Sequence, residues 1–437
     1  MNDSRHLSFN SKPSGSLRVP GDKSISHRLA MLLGLTTGSS VINGFLTSED
    51  CLNTLAAVQQ LGASATTEGT CVTITGAGGR YVAPSKALDL GNSGTGMRLI
   101  AGLLAAQPFE SVLTGDASLQ SRPMGRIRDP LIEMGARIAL TGERGFAPMT
   151  IQGVALHAID YVLPMASAQV KSCALLAGLL AEGVTRVVEP EETRDHTERL
   201  MNALSLPCVV DGLQISVTGS AGESLTVSHE GQWDVPGDFS SAAFWVAAAA
   251  ITEGSEVVIE HVGLNPRRTA FLDVMRRMGA RIEIEADATS EWEPVGRIIV
   301  RGGPLQGTMV SGAEIPNLID ELPLVAIVGA VASGTTRIAD AHELRVKETD
   351  RIAAMIACLE QFGVTSTETE DGMVINGGQA IRGGGRVNSY GDHRIAMAGS
   401  ILSLRADGPV DIDSIGCIRT SYPEFWDHFE HLVGASI

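Results

Sequence analysis

Val19-Pro20-Gly21-Asp22 recurs as Val235-Pro236-Gly237-Asp238, and the chain continues alike after both copies. Each opens onto an alanine- and leucine-rich stretch, then Gly-Ser and a short β-branched run. A second helical segment follows and closes at Leu61-Gly62-Ala63 or Met278-Gly279-Ala280. Repetition on this scale makes each copy one supersecondary unit. The pattern starts again at Gly91, Pro164, Pro316 and Tyr390, so the six starts lie 72, 73, 71, 81 and 74 residues apart.

Each unit enters a helix that is apolar nearly all round, as at 97–106, 169–181, 242–250 and 322–332. Helices of that kind belong inside the molecule. A Gly-Ser, Gly-Val-Thr or Gly-Thr-Thr step then leads into a strand, as at 256–259 and 335–338. About 30 residues into each unit comes an amphipathic helix, as at 267–278 and 347–362, ending at a glycine suited to a C-terminal cap. A hairpin such as 281–285 with 297–300 completes the unit. Each unit therefore reads βαβαββ.

The expected fold class is α/β: two similar domains, each of three such units packed around buried helices. The domains are residues 20–234 and residues 1–19 plus 235–437, joined by a two-strand hinge at the two repeated turns. The N-terminal strand, about residues 4–19, falls to the second domain.

Composition narrows the function. A chain of 437 residues with 44% hydrophobic residues, 4% aromatics and 49 glycines describes a packed α/β protein of small side chains. The net charge of −17 argues against a nucleic-acid or anionic-membrane surface. No apolar run approaches the roughly 18–20 residues that span a bilayer, and the first residues lack a signal pattern, so a cytoplasmic protein is expected. The six cysteines form no CxxC and have no close histidine, which argues against a zinc or disulfide framework. Only five lysines occur, at 12, 23, 86, 171 and 347.

The polar residues fall in phase with the repeat. Lys23-Ser24, Asn92 with Gly94, Ser167 with Gln169, Asp320, and His393-Arg394 stand at first-helix starts. Asp50, Arg122, Arg194, Arg267 and Lys347 stand at second-helix starts. Unpaired backbone N–H groups and the positive dipole end favour anions at such positions. Cations recurring there point to an anionic ligand. Ser24 and Arg28 lie four apart on one helix face, as do Lys347 and Arg351, with Glu348 able to pair with Arg351. A solvated cap in the first case and salt-bridge decoration in the second are the alternatives. Asp320 is either an N-cap or a base held near cations, and Glu348 supplies a second carboxyl.

Taken together, Gly21-Asp22-Lys23-Ser24-Ile25-Ser26-His27-Arg28, Leu90-Gly91-Asn92-Ser93-Gly94-Thr95, Arg122-Pro123-Met124-Gly125, Arg345 to Arg351 and Asp392-His393-Arg394 resemble the enolpyruvyl transferases, and among them the EPSP synthase family. The motifs keep that family's order across essentially the whole chain. The resemblance implies the inside-out α/β barrel and transfer of the enolpyruvyl group of phosphoenolpyruvate to the 5-hydroxyl of shikimate 3-phosphate, through a tetrahedral intermediate. It implies no metal or organic cofactor, and a monomer. Carried over by motif, Lys23, Ser24, Arg28, Ser167, Ala168, Gln169, Arg194, Asp320 and Lys347 hold shikimate 3-phosphate. Lys23, Asn92, Gly94, Arg122, Gln169, Arg351 and Arg394 hold phosphoenolpyruvate, and Asp320, Glu348 and Lys23 are catalytic. Ser167-Ala168-Gln169-Val170-Lys171 and Arg194-Asp195-His196-Thr197-Glu198 are similar to the class II enzymes, a subgroup noted for tolerating glyphosate. Gly94 departs from its best-known tolerant member, which has alanine there, and leaves room for that inhibitor.

Rival readings remain. UDP-N-acetylglucosamine enolpyruvyl transferase shares fold and donor, but its loop cysteine is missing from Gly115-Asp116-Ala117-Ser118-Leu119-Gln120-Ser121. RNA 3′-phosphate cyclase needs a nucleotide histidine and a basic face, and neither is apparent. A non-catalytic anion-binding repeat module would bind the same ligands without turnover.

Overall fold

At the first repeated turn a Cβ on Gly21 would stand 1.8 Å from the Gly44 carbonyl oxygen. Glycine is therefore obligatory there. Asp22 follows and caps helix Lys23–Leu35, its carboxylate accepting from the Ile25 N–H at 2.9 Å. At the second turn Gly237 is pressed against Val19, with 2.7 Å available to a Cβ. Asp238 caps helix Phe239–Ala250 by accepting from Ser240 N–H at 2.6 Å. In the computed structural model, which describes residues 3–8, 12–142, 145–225, 230–290 and 292–434, these turns are where the chain passes between two compact units. One is Gly21–Val235; the other is Met1–Pro20 with Pro236–Ile437.

The turns also exchange strands. Ser14–Arg18, just before the first turn, pairs in parallel with Glu256–Gly263, well beyond the second. Gly231–Asp234, just before the second turn, pairs in parallel with Ser39–Asn43. Each turn thus follows a strand in one unit and opens a helix in the other.

Within Gly21–Val235 three sheets repeat one pattern. The leading strand is parallel to the second, the second antiparallel to the fourth, and the third completes the hairpin. Two sheets of the other unit follow suit. The sixth differs from the expected βαβαββ. After Arg386–Asn388, helix His393–Leu402 and Val410–Asp413 comes helix Phe425–Val433 in place of a hairpin, and Ser4–Leu7 takes the fourth strand's place, antiparallel to Val410–Asp413. The N-terminal stretch is therefore two strands in two sheets, with residues 9–11 outside the described residues. Among the described residues no sheet closes on itself: open sheets are set around buried helices, in keeping with the expected fold class.

The first helices are buried as their composition demands. All twelve residues of Phe239–Ala250 are buried, as are all but the last residue of Leu322–Val331. Glycines let these helices come close. A Cβ on Gly102 would lie 2.3 Å from the Cys173 carbonyl oxygen of helix Ala168–Gly178, so the backbones touch there. Gly178 and Gly329 let their helices press on strands, where a Cβ would stand 2.7 and 2.8 Å from the side chains of Thr185 and Thr336. In the unit with both termini, Trp245 donates to the Tyr422 hydroxyl at 2.7 Å and stacks on Phe425.

Two second helices begin later than their pattern suggests. Asp350 accepts from the Ile352 and Ala353 N–H groups at 3.1 Å, so that helix runs Arg351–Gln361 and Lys347 lies in the preceding loop. Asn265 accepts from the Arg267 N–H at 2.9 Å in a side-chain turn containing Pro266, and the helix is Ala270–Arg277. Lys347 and Arg351 therefore do not share a helix face. No helix among the described residues is long and apolar enough to cross a membrane, and all six cysteines are unbridged.

Gly102→Ala tests the close approach. Forcing a methyl group between two buried helices costs about 1–3 kcal/mol. Urea denaturation should show a lowered midpoint, and an unchanged midpoint would mean the helices yield freely.

Candidate active site

In the Gly21–Val235 unit the polar residues gather at the starts of Lys23–Leu35, Gly94–Ala105 and Ala168–Gly178. Lys23 is the first residue of its helix, and its ammonium donates to Asp50 Oδ2 at 2.7 Å, across from helix Glu49–Gln60. Ser24 follows, half-buried, and its carbonyl accepts from Arg28 NH1 at 2.9 Å. Arg28 is buried and also donates to the hydroxyls of Thr197 at 2.6 Å and Ser172 at 2.9 Å. His27 lies between Thr54 Oγ1 at 2.8 Å and Ser93 Oγ at 3.4 Å. Burial, reinforced by Lys23 and Arg28, holds its imidazole well below the ordinary value, hence neutral.

Around the second helix, Arg122 NH2 donates to Asn92 Oδ1 at 2.5 Å and to Ser118 Oγ at 3.1 Å. The Asn92 amide donates onward to Asp116 at 2.8 Å. A methyl group on Gly94 would stand 3.0 Å from Arg98 NH1 and 3.4 Å from Arg122 NH1. Arg98 donates to Gln169 Oε1 at 2.7 Å and to the Pro123 carbonyl at 3.3 Å, while Gln169 donates to Thr95 at 3.0 Å. Ser167 caps the third helix, Ala168 is its first residue, and half-buried Arg194 precedes helix His196–Ala203.

In the other unit, Arg351 organises the cluster. Its guanidinium is 1% exposed and donates to Asp392 Oδ2 at 2.7 Å, Asp320 Oδ1 at 3.3 Å and Glu348 Oε2 at 2.5 Å. Three carboxylates outweigh the cost of burial and raise its pKa further. Arg394 donates to the Asp320 carbonyl at 2.9 Å, and its Nε lies 3.7 Å from Asp320 Oδ1. Asp320 sits in the turn between helices Ile315–Leu318 and Leu322–Val331 and so meets both arginines. Burial lowers the Lys347 amine; Asp320, Glu343 and Glu348 oppose that and Arg351 adds to it.

One expectation changes. Five of the six first helices begin with a side-chain cap, from Asp22, Ser93, Ser167, Asp238 and Asp392. Their first-turn amides are partly occupied, so anion attraction comes chiefly from the cationic side chains. The sequence assigns no site role to Arg98, Thr197 or Ser172 and does not disclose the buried pairing of Asp392 with Arg351. Arg98 sits inside an apolar helix, and the other partners lie 25 to 169 residues from theirs. Among the described residues no group of three or more His, Cys, Asp or Glu is arranged to hold a metal.

Solved structures share this architecture. EPSP synthase from Acinetobacter baumannii matches with a TM-score of 0.86 and 44% identity, covering 99% of this chain and 98% of that one. The enolpyruvyl transferase NikO from Streptomyces tendae matches at 0.79 and 16% identity over 100% and 98% of the two chains, a likeness of fold alone. Open sheets around buried helices are thus the architecture this chain shares with the enolpyruvyl transferase class of fold. The EPSP synthase (3-phosphoshikimate 1-carboxyvinyltransferase) family matches residues 9–429. A 3-phosphoshikimate 1-carboxyvinyltransferase of Akkermansia muciniphila is 51% identical over 421 residues, 94% of this chain and 95% of that one. One of Bacillus subtilis is 43% identical over 419 residues, 96% and 97% of the two chains. The chain belongs to the EPSP synthase family and is a transferase that moves the enolpyruvyl group of phosphoenolpyruvate to shikimate 3-phosphate.

Proposed function

We propose that the reaction proceeds by addition and elimination, with Asp320 as base and Glu348 as acid. Asp320 takes the proton of the 5-hydroxyl as that oxygen bonds to C2 of phosphoenolpyruvate, and Glu348 protonates the methylene carbon. The tetrahedral intermediate then returns a proton from the new methyl group to the Glu348 carboxylate as the bond from C2 to the phosphate oxygen breaks, its electron pair leaving with the phosphate, which takes up the proton held on Asp320. The products are the enolpyruvyl ether and phosphate. Lys23 stabilises the phosphate as charge moves onto it. The observation that carries this assignment is that Asp320 and Glu348 both hydrogen-bond Arg351, at 3.3 and 2.5 Å, which holds two carboxyls side by side.

Two anionic substrates repel each other, so binding requires cations on both. Shikimate 3-phosphate is assigned to Lys23, Ser24, Arg28, Ser167, Ala168, Gln169, Arg194, Asp320 and Lys347. Phosphoenolpyruvate is assigned to Lys23, Asn92, Gly94, Arg122, Gln169, Arg351 and Arg394. The ion pairs with Asp50 and Glu348 keep Lys23 and Arg351 neutralised until an anion competes for them. The enzyme acts as a cytoplasmic monomer, which a light-scattering mass of one chain would support and a larger assembly would overturn.

Phosphate release from phosphoenolpyruvate should require shikimate 3-phosphate, with no turnover on UDP-N-acetylglucosamine. Asp320→Ala and Glu348→Gln should each lower kcat by about 10²- to 10⁴-fold, far more than they raise KM. Near-normal turnover in both would remove the acid–base assignment. Because the Lys347 amine is lowered, it loses its proton earlier as pH rises, and the KM for shikimate 3-phosphate should climb below the usual lysine range. Lys347→Arg stays charged and should abolish that alkaline limb in a pH profile of KM; an unchanged limb would point to another group. Glyphosate is proposed as an inhibitor competing at the phosphoenolpyruvate residues. Gly94→Ala crowds Arg98 and Arg122 and should raise the inhibition constant; equal inhibition of both forms would contradict that placement.

A further inference from the structure

Lys171 is one of only five lysines, yet it has no place among the substrate contacts. It lies two residues beyond Gln169 on helix Ala168–Gly178, with its side chain fully buried. Its ammonium is 3.0 Å from Glu189 Oε2 and 2.6 Å from Glu198 Oε1, both carboxylates being buried as well. It also donates to the Thr193 carbonyl at 3.4 Å, and the Thr193 hydroxyl donates to Glu189.

A buried ion cluster is poor evidence of net stabilisation, because apolar replacements of similar volume often match it. Here the cluster ties three segments together. They are the helix carrying Ser167 and Gln169, the loop that ends at Arg194, and helix His196–Ala203. The residues next to the cluster continue the contact. Thr197, adjoining Glu198, donates to the hydroxyl of Ser172, adjoining Lys171, at 2.7 Å. Those two hydroxyls accept from Arg28 Nε and NH2 at 2.6 and 2.9 Å. Arg28 is thus aimed by two side chains that the ion cluster holds in register, and Arg194 directly follows Thr193.

We propose that Lys171, Glu189 and Glu198 form a positioning brace that directs Arg28, through Thr197 and Ser172, and Arg194, through Thr193, toward the anionic groups of shikimate 3-phosphate. This rests on the assignment of both arginines to that substrate. The brace acts chiefly on the shikimate 3-phosphate side: of the phosphoenolpyruvate residues only Gln169, assigned to both substrates, stands on a braced helix. Phosphoenolpyruvate residues such as Arg122 and Asn92 hydrogen-bond to each other and to Ser118 and Asp116, outside it.

Three variants and a control test the brace by steady-state kinetics. Thr197→Val removes the hydroxyl and keeps the shape, while Thr197→Ser restores it. Lys171→Met with Glu189→Gln and Glu198→Gln removes all three charges together, leaving none stranded. The KM for shikimate 3-phosphate should rise about tenfold in Thr197→Val and in the triple variant. Meanwhile kcat and the KM for phosphoenolpyruvate should stay within about twofold, and Thr197→Ser should match the parent. If the triple variant fails to fold, Thr197→Val against Thr197→Ser decides alone. Arg28→Lys is measured alongside. If it raises the KM for shikimate 3-phosphate while Thr197→Val does not, the brace is overturned and the substrate assignment stands. If Arg28→Lys leaves that KM unchanged, the assignment fails and the brace with it. Equal rises in both KM values would mark general loosening and also overturn the brace.

Discussion

Two turns at which the chain changes unit are the constraint on which the rest of the structure depends. At the first, the space beside Gly21 is closed by the Gly44 carbonyl. At both, an aspartate caps the helix that follows. Ser14–Arg18 and Gly231–Asp234 each stay in the unit that the chain leaves at the following turn, and each pairs with a strand distant in sequence. The leading strand of one sheet in each unit comes from far along the chain. The first lysine of the site, Lys23, immediately follows such a turn and inherits its position from it.

The buried helices set the second condition. Packing them with backbone contact, as at Gly102 and Cys173, leaves little room for side chains within and sends polar residues to the helix starts. There the caps take up first-turn amides, and cations are met by carboxylates: Lys23 by Asp50, Arg351 by Asp392, Asp320 and Glu348. With 50 acidic and 33 basic residues, the chain has carboxylates enough to neutralise its cations, which keeps the clusters stable before any substrate arrives. An incoming phosphate or carboxylate therefore competes with an existing partner. That competition gives selectivity for strongly charged ligands over weakly charged ones.

Much of the fold was legible because the repeat is written in residue types with strong local meaning. Apolar helices, glycine stops and β-branched runs recurred at 71 to 81 residues and marked six units. The sixth unit misled, since a hairpin was expected where the N-terminal strand Ser4–Leu7 completes the sheet. The charge pattern near Arg267 and Lys347 predicts earlier helix starts than the structure has, because it runs on through a side-chain turn and a loop that are not helical. Candidate site residues could be named because they stand at fixed phases of the repeat. Their partners could not, since hydrogen bonds such as Arg28 to Thr197 span 169 residues and leave no trace in local pattern.

The repeated Val-Pro-Gly-Asp turn, the six units, the burial of the first helices and the places where charge collects all follow from the sequence itself. Periodicity, glycine and capping residues act over a few neighbours and can be read in order. Tertiary structure alone decided which strand completes which sheet, that Lys171 is enclosed by two carboxylates while Lys23 stays partly open, and that one arginine holds Asp320, Glu348 and Asp392 together. Those outcomes depend on distances between segments far apart in the chain. Burial and ion pairing respond to such distances, and no single stretch of sequence contains them.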